Sequence, residues 1–232
     1  MGYLALVAGG QFLALEAVEV SSLLTGLVSY WKLDELSGTR ADSHGSNDVA
    51  PTSAVGSTTG VIGSAATFPD KTNCLTRSST TALSTRPMSV SFWFRISTLS
   101  IYDGPIGATN GVLWTQGWGV YWIGTTLYAF AGQWDVTPAS VAVASPSSWN
   151  HVAVTWENGG AVRIYLNGVD GTAGATGSGA LNAHAFTIGT IGDLGYATRG
   201  DIDEVGIWGR VLTSDEVVEL YNAGTGLTYP FN

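Results

Sequence analysis

Lysine is almost missing from this chain: Lys32 and Lys71 are the only two among 232 residues. Lysine and arginine together number 9 against 18 aspartates and glutamates, a formal net charge of -9. Neutralising a phosphate backbone takes clustered basic side chains, so the composition argues against a nucleic-acid partner. An anionic membrane surface is disfavoured on the same ground. Charged residues of both signs make up 12% of the chain, about half the usual share. Cys74 is the one cysteine, which excludes an intrachain disulfide. It reads as a small buried residue on a strand. No apolar run approaches the ~20 residues of a membrane-spanning helix. The first basic residue is Lys32, so no secretory signal with a basic start is read. Asn-x-Ser/Thr acceptors are missing as well.

What is abundant is glycine, at 31 residues, with 11% aromatics and a 45% hydrophobic share. Disorder would need lower hydrophobicity. The combination suits short strands joined by tight turns. Val90, Phe92, Phe94 and Ile96 alternate with Ser91, Trp93 and Arg95. Val152, Val154 and Trp156 alternate with His151, Ala153 and Thr155, and Val162, Ile164 and Leu166 with Arg163 and Tyr165. Period two is the mark of strands with one buried face. The last run ends in Asn167-Gly168, a strong hairpin signal because both residue types tolerate positive φ. One helix is predicted, opening at Thr213 with Glu216 closing a capping box and Val217, Leu220 and Tyr221 on one face.

Residues 1–26 differ from the rest. Gln11 to Val20 fits a strand or a helix equally, since its apolar residues occupy both parities. This segment is expected to be an N-terminal arm, with residues 27–232 forming the domain. The arm's large apolar side chains are expected to dock on a neighbour, in a homo-oligomer or a larger assembly.

Several motifs occur in a fixed order. Leu27 to Glu35 (LVSYWKLDE) precedes Ser37-Gly38-Thr39, and Gly60 to Phe68 (GVIGSAATF) follows. Ser89 to Phe94 carries a tryptophan, and Trp149 to Trp156 leads into Val162 to Gly168. Gly200 to Val205, then Trp208, Arg210, Leu212 and Leu220-Tyr221-Asn222, close the set. Together they resemble the laminin-G-like jelly-roll domains of the concanavalin A-like superfamily, collinearly from about Leu27 to Gly224. The resemblance implies an all-β, two-sheet antiparallel sandwich with a short C-terminal helix. It implies little about the ligand, because a fold hosts many functions.

Three kinds of site were weighed. Glycosidases of this superfamily carry paired acids on one face of a strand, and the nearest run here is Asp201-Ile202-Asp203-Glu204. By alternation Glu204 falls on the face opposite Asp203, so no catalytic residue is expected and a diverged glycosidase is disfavoured. His44, His151 and His184 lack the context of a nucleophilic triad. For a metal, the resemblance implies a structural Ca²⁺ with Asp203 as the best ligand and Asp34 or Asp42 as helpers; the competing reading has these acids capping turns. For sugar, aromatic rings crowd residues 114–134. Trp118 and Trp122 are expected in the core, whereas Trp114, Tyr121 and Trp134 are expected to form an exposed carbohydrate-binding platform.

The expected function is therefore a non-catalytic, lectin-like carbohydrate-binding or adhesion module on an extracellular surface. A bacteriophage virion, as a structural or decoration protein, is one such setting, because it would reconcile an extracellular type of fold with a missing secretory signal. A purely structural assembly protein without a sugar ligand is the alternative.

Overall fold

In the computed structural model the alternating runs become strands of two antiparallel sheets. The structure describes residues 21–231 apart from 99, 111–115, 133–137, 173–174, 177–180, 182 and 193–195; ahead of them it describes only Val7–Ala8 and Gln11–Phe12. Those two pairs are β1 and β2, and they form an antiparallel ladder with each other.

The first half of the domain holds β3 (Leu27–Trp31), β4 (Ala50–Pro51), β5 (Gly56–Thr59), β6 (Ser64–Phe68), β7 (Leu75–Arg77), β8 (Met88–Thr98) and β9 (Ile106–Thr109). The second half holds β10 (Gly117–Ile123), β11 (Thr126–Ala131), β12 (Ala139–Ala142), β13 (Asn150–Trp156), β14 (Ala161–Leu166), β15 (Val169–Asp170), β16 (Ala175–Thr176), β17 (Phe186–Ile188) and β18 (Arg199–Trp208). The helix α1 (Ser214–Tyr221) follows. One sheet has the order β12-β11-β10-β9-β17-β7-β4. The other runs β15-β14-β13-β8-β18-β6-β5, with β16 beside β14 and β3 beside β18.

The predicted core residues are those that fill the space between the sheets. Val90, Phe92, Phe94 and Ile96 of β8 meet Val152, Val154 and Trp156 of β13 on one inner face. Trp118, Val120 and Trp122 of β10 come from the other. Trp118 packs against Trp156 at 5.3 Å and Phe94 against Trp122 at 5.2 Å. Each large side chain removed from water in this way adds roughly 1.5–3 kcal/mol.

A second apolar cluster covers the outer face of the nine-stranded sheet. Tyr30, Ala153, Tyr165 and Trp208 look outward there, and Val217 and Leu220 of α1 and Phe231 of the tail close over them. Thr213 and Glu216 form the expected capping box at the start of α1. Asn167 and Gly168 turn between β14 and β15 with φ of 52° and 79°, the positive pair such a turn requires.

Leu23 belongs to the same cluster and is fully buried. The Trp208 indole donates to the Leu23 carbonyl at 2.7 Å, and Gly209 N–H donates to Gly26 O. Residues 21–26, assigned above to the arm, are thus packed into the domain, because Leu23 fills the space beneath α1. The arm that remains is residues 1–20, of which only the β1–β2 ladder is described.

Candidate functional site

The outer face of the seven-stranded sheet carries a layer of aromatic rings. Strand parity sends Trp118, Val120 and Trp122 inward and Tyr121 outward. The turn after Ile123 sets Tyr121 opposite Tyr128, and their rings stack at 5.2 Å with 15° between planes. Phe130 meets Tyr121 edge-on at 5.9 Å. Ile191 completes a small buried cluster with Tyr121 and Phe130, against which Tyr102, Tyr128 and Tyr196 are half-buried. Glycine makes the layer fit. A Cβ on Gly107 would lie 2.6 Å from Ile191 Cγ2, and one on Gly119 would lie 2.9 Å from the Phe130 ring.

Backbone bonds fasten the segment bearing Tyr102 to the end of β10. Tyr102 N–H donates to Trp122 O at 2.7 Å, and Trp122 N–H donates to Asp103 O at 2.8 Å. Lys71 holds the buried Asp103 carboxylate at 2.5 Å. Ile101 and Ile123, both exposed, stand beside these rings in the sequence.

Tyr121 was expected on an exposed platform; it is buried, because Tyr128, Phe130, Tyr102 and Ile191 cover its ring. The partly accessible rings are instead Tyr102, Tyr128 and Tyr196. Trp114 and Trp134 lie outside the described residues. None of these three tyrosines was among the expected platform residues. For Tyr128 a signal existed, since the tight turn at Gly124-Thr125 fixes its partner as Tyr121. Tyr102 and Tyr196 arrive from distant connections and carry none.

Of the two helpers expected beside Asp203, Asp34 shares a turn with it and Asp42 holds another. Asp42 holds the 43–47 turn: Oδ1 accepts from the backbone N–H groups of Tyr30, His44 and Gly45, and Oδ2 from that of Asn47. Burial works to raise its pKa, but these bonds outweigh it and lower the value. Asp42 is the turn cap of the competing reading. Asp34 and Asp203 share a different turn, at 60–64. Asp203 Oδ2 accepts from Val61 N–H at 2.7 Å and Ile62 N–H at 3.2 Å, and Asp34 Oδ1 accepts from Ser64 N–H at 2.8 Å.

Beside Asp203 lies a carboxyl that alternation placed on the far face. Ile202 and Val205 both point into the core, yet two residues separate them instead of one. β18 bulges here: its register against β8 shifts between Asp203 and Gly206, and Glu204 takes a φ of 49°. The extra residue leaves Asp203 and Glu204 on the same, outer side. Glu204 accepts a short hydrogen bond from the Tyr30 hydroxyl. Burial, with the Asp34 carboxylate adding to it, pushes Asp203 up to about 7, and burial, with the Asp203 and Asp34 carboxylates adding to it, pushes Glu204 up to about 8. Asp203 Oδ1 and Glu204 Oε1 are buried with no hydrogen-bond partner among the described residues. Two orphaned carboxyl oxygens near Asp34 are hard donors of the kind Ca²⁺ takes. Among the described residues no group of three or more His, Cys, Asp or Glu side chains is positioned to hold a metal ion, so backbone oxygens or water would have to supply the rest.

The family model described as the concanavalin A-like lectin/glucanases superfamily matches residues 63–218. Among solved structures the chain is similar to domain 4 of AbnA, a GH43 extracellular arabinanase from Geobacillus stearothermophilus, in complex with arabinotriose. The identity is 21% and the TM-score 0.63, covering 83% of this chain and 97% of that one. It is also similar to the binding domain of Paraclostridial Mosquitocidal Protein 1, at 16% identity and TM-score 0.66 over 87% of this chain. A third similar structure is that of botulinum neurotoxin type C, whose cell entry depends on two ganglioside molecules, at 16% identity and TM-score 0.65 over 87% of this chain. The chain spans about half of each toxin structure, 53% and 52%. No curated protein matches the sequence. At these identities the likeness is one of fold.

Proposed function

The chain belongs to the concanavalin A-like lectin/glucanase superfamily, and from that premise we propose that it is a non-catalytic carbohydrate-binding module displayed on an extracellular surface. The observation that carries the reading is the ring layer on the seven-stranded sheet. Tyr102, Tyr128 and Tyr196 offer half-exposed rings that rest on a rigid floor of Tyr121, Phe130 and Ile191. A flat ring covers the apolar face of a sugar while its hydroxyl stays wet, and a packed floor means little freedom is lost on binding. Of the similar structures, one is in complex with arabinotriose and another is of a toxin whose cell entry depends on two gangliosides, which supports a glycan ligand.

The non-catalytic part rests on burial. Among the described residues Asp203 and Glu204 are the one adjacent acid pair with raised pKa values, and both are closed off from solvent. A glycosidic bond cannot reach them. Display on a particle such as a bacteriophage virion is part of the same proposal and is supported by the apolar sequence of residues 1–20. A structural Ca²⁺ at Asp203, with Asp34 as helper, is supported by the orphaned oxygens.

The test is a glycan array probed with the full chain and with Tyr128→Ala. Binding to a defined glycan, weakened at least about tenfold by the substitution, is the expected result; that factor corresponds to about 1.4 kcal/mol. The bound glycan should be recovered uncleaved. An array with no bound glycan sinks the lectin reading. Binding that ignores Tyr128→Ala and Tyr102→Ala moves the site elsewhere.

A further inference from the structure

The opposite face of the sandwich holds a small cavity that the tyrosine layer does not involve. Across the outer face of the nine-stranded sheet, Asp201 of β18 pairs in register with Arg95 of β8. Arg95 Nε donates to Asp201 Oδ2 at 2.5 Å, and Nη2 lies 3.4 Å from the Thr58 hydroxyl. On its other side the guanidinium rests on the face of Trp149, 4.8 Å from the ring centroid. Trp149 is the residue before β13, and Asn150 pairs with Phe94, so the three side chains form a row across three strands. Beside this row opens a cavity of about 220 Å³ lined by Arg95, Ile96, Ser97, Ser147 and Asp201. The segment bearing Ser147 is anchored there by Ile96 N–H donating to Pro146 O at 2.8 Å.

Three polar atoms around the cavity have no protein partner among the described residues: Arg95 Nη1, Asp201 Oδ1 and the Ser147 hydroxyl. The first donates only, the second accepts only, and the third does both. Ion pair and ring stacking fix the arginine in place, so the donor and the acceptor are pre-set side by side. Arg95 and Asp201 also cancel in charge, which leaves the cavity without a net preference for ions, in a chain whose overall charge of -9 repels anions. A ligand that matches is uncharged and carries neighbouring hydroxyls, one accepting from Arg95 and the next donating to Asp201. The volume lies below the ~300–1,000 Å³ of drug-sized sites, which limits the ligand to about one ring.

We propose that this cavity is a second, independent subsite for a single neutral sugar unit, held by the Arg95–Asp201 pair through two adjacent hydroxyls. The tyrosine face and this cavity would then let one domain hold two glycan chains from opposite sides.

The experiment titrates the full chain, labelled with ¹⁵N-tryptophan, with free galactose, glucose, mannose, arabinose and glucuronate. The indole signal of Trp149 is assigned with Trp149→Phe. A neutral sugar is expected to shift that signal with a Kd in the millimolar range, about -4 kcal/mol. Ser147→Tyr, an exposed position where the larger side chain fills the opening, is expected to abolish the shift, and Arg95→Lys to weaken binding at least about tenfold. Tyr128→Ala is expected to leave it unchanged, so failure of the tyrosine face and failure of this cavity are told apart. A Trp149 signal unmoved by every sugar overturns the proposal without reliance on any variant's folding. So does a shift that survives Ser147→Tyr. Tighter binding of glucuronate than of every neutral sugar overturns the assignment to an uncharged ligand.

Discussion

His151 sits on β13 with its Nε2 2.7 Å from the Ser91 hydroxyl and its ring beside Trp93 and Tyr221. Complete burial lowers its pKa from 6.5 to about 3. The unfolded chain therefore binds a proton that the folded chain refuses. The stability this confers is present above pH 6.5 and is lost as pH falls towards 3. Asp203 and Glu204 act with the opposite sign: their raised values give stability that is present at acid pH and lost as pH rises through about 7 and 8. The useful quantity is thus a difference. The folding free energy of the wild type minus that of His151→Gln is expected to shrink by roughly 1.4 kcal/mol per pH unit between pH 6.5 and 4.5, as followed by urea unfolding. A difference that stays constant over that range means that His151 titrates normally in the folded chain. Read from the sequence, His151 was a strand residue, and that much was legible from period two. Its burial was not, because Tyr221 arrives from a helix 70 residues away to cover it. Tyr121 teaches the same lesson: parity gives the face a side chain looks out from, and only the neighbours on that face decide whether water reaches it.

At the scale of elements, legibility follows how local the determining chemistry is. Asn167-Gly168 and the Thr213–Glu216 capping box state their structures within four residues, and both formed as read. The bulge in β18 has no such mark. Its left-handed residue is Glu204, where a glycine or asparagine would have flagged the position. One extra residue there moves Glu204 from the far face to the side of Asp203, and the argument from alternation against a paired acid site fails with it. The same bulge gives the calcium proposal its donors. Metal-free protein is expected to melt higher on adding Ca²⁺, by the equivalent of about 2.7 kcal/mol at a hundredfold excess over Kd. In Asp203→Ala that Ca²⁺-induced rise is expected to vanish, whatever the variant's own stability. A metal-free wild type whose melting temperature ignores excess Ca²⁺ would leave Asp203 and Asp34 as turn caps only.

For the whole molecule, two packed antiparallel sheets were legible because ordered motifs spread over most of the chain and alternation repeats in strand after strand. The boundary of the arm was harder to place. Leu23 looks like any other apolar residue of the first 26, and its burial depends on Trp208 and α1, which lie at the far end of the chain. The anchoring proposal now concerns residues 1–20. They hold Leu4, Leu6, Val7, Phe12, Leu13, Leu15, Val18 and Val20, each worth roughly 1.5–3 kcal/mol when buried. The described domain already includes its own first strand, β3, and the anchoring proposal has residues 1–20 serve a second copy or a larger assembly. Deleting residues 2–20 is expected to leave a folded monomer where the full chain assembles, as read by light scattering. Deleting residues 2–24 removes Leu23 as well and is expected to lower stability by a further ~2–5 kcal/mol through the space left beneath α1. A monomeric full chain, or a 2–20 deletion that still assembles, ends the anchoring proposal. A 2–20 deletion that cannot fold makes the arm part of the domain, and equal melting of the two deletions would mean that Leu23 adds nothing to the core it fills.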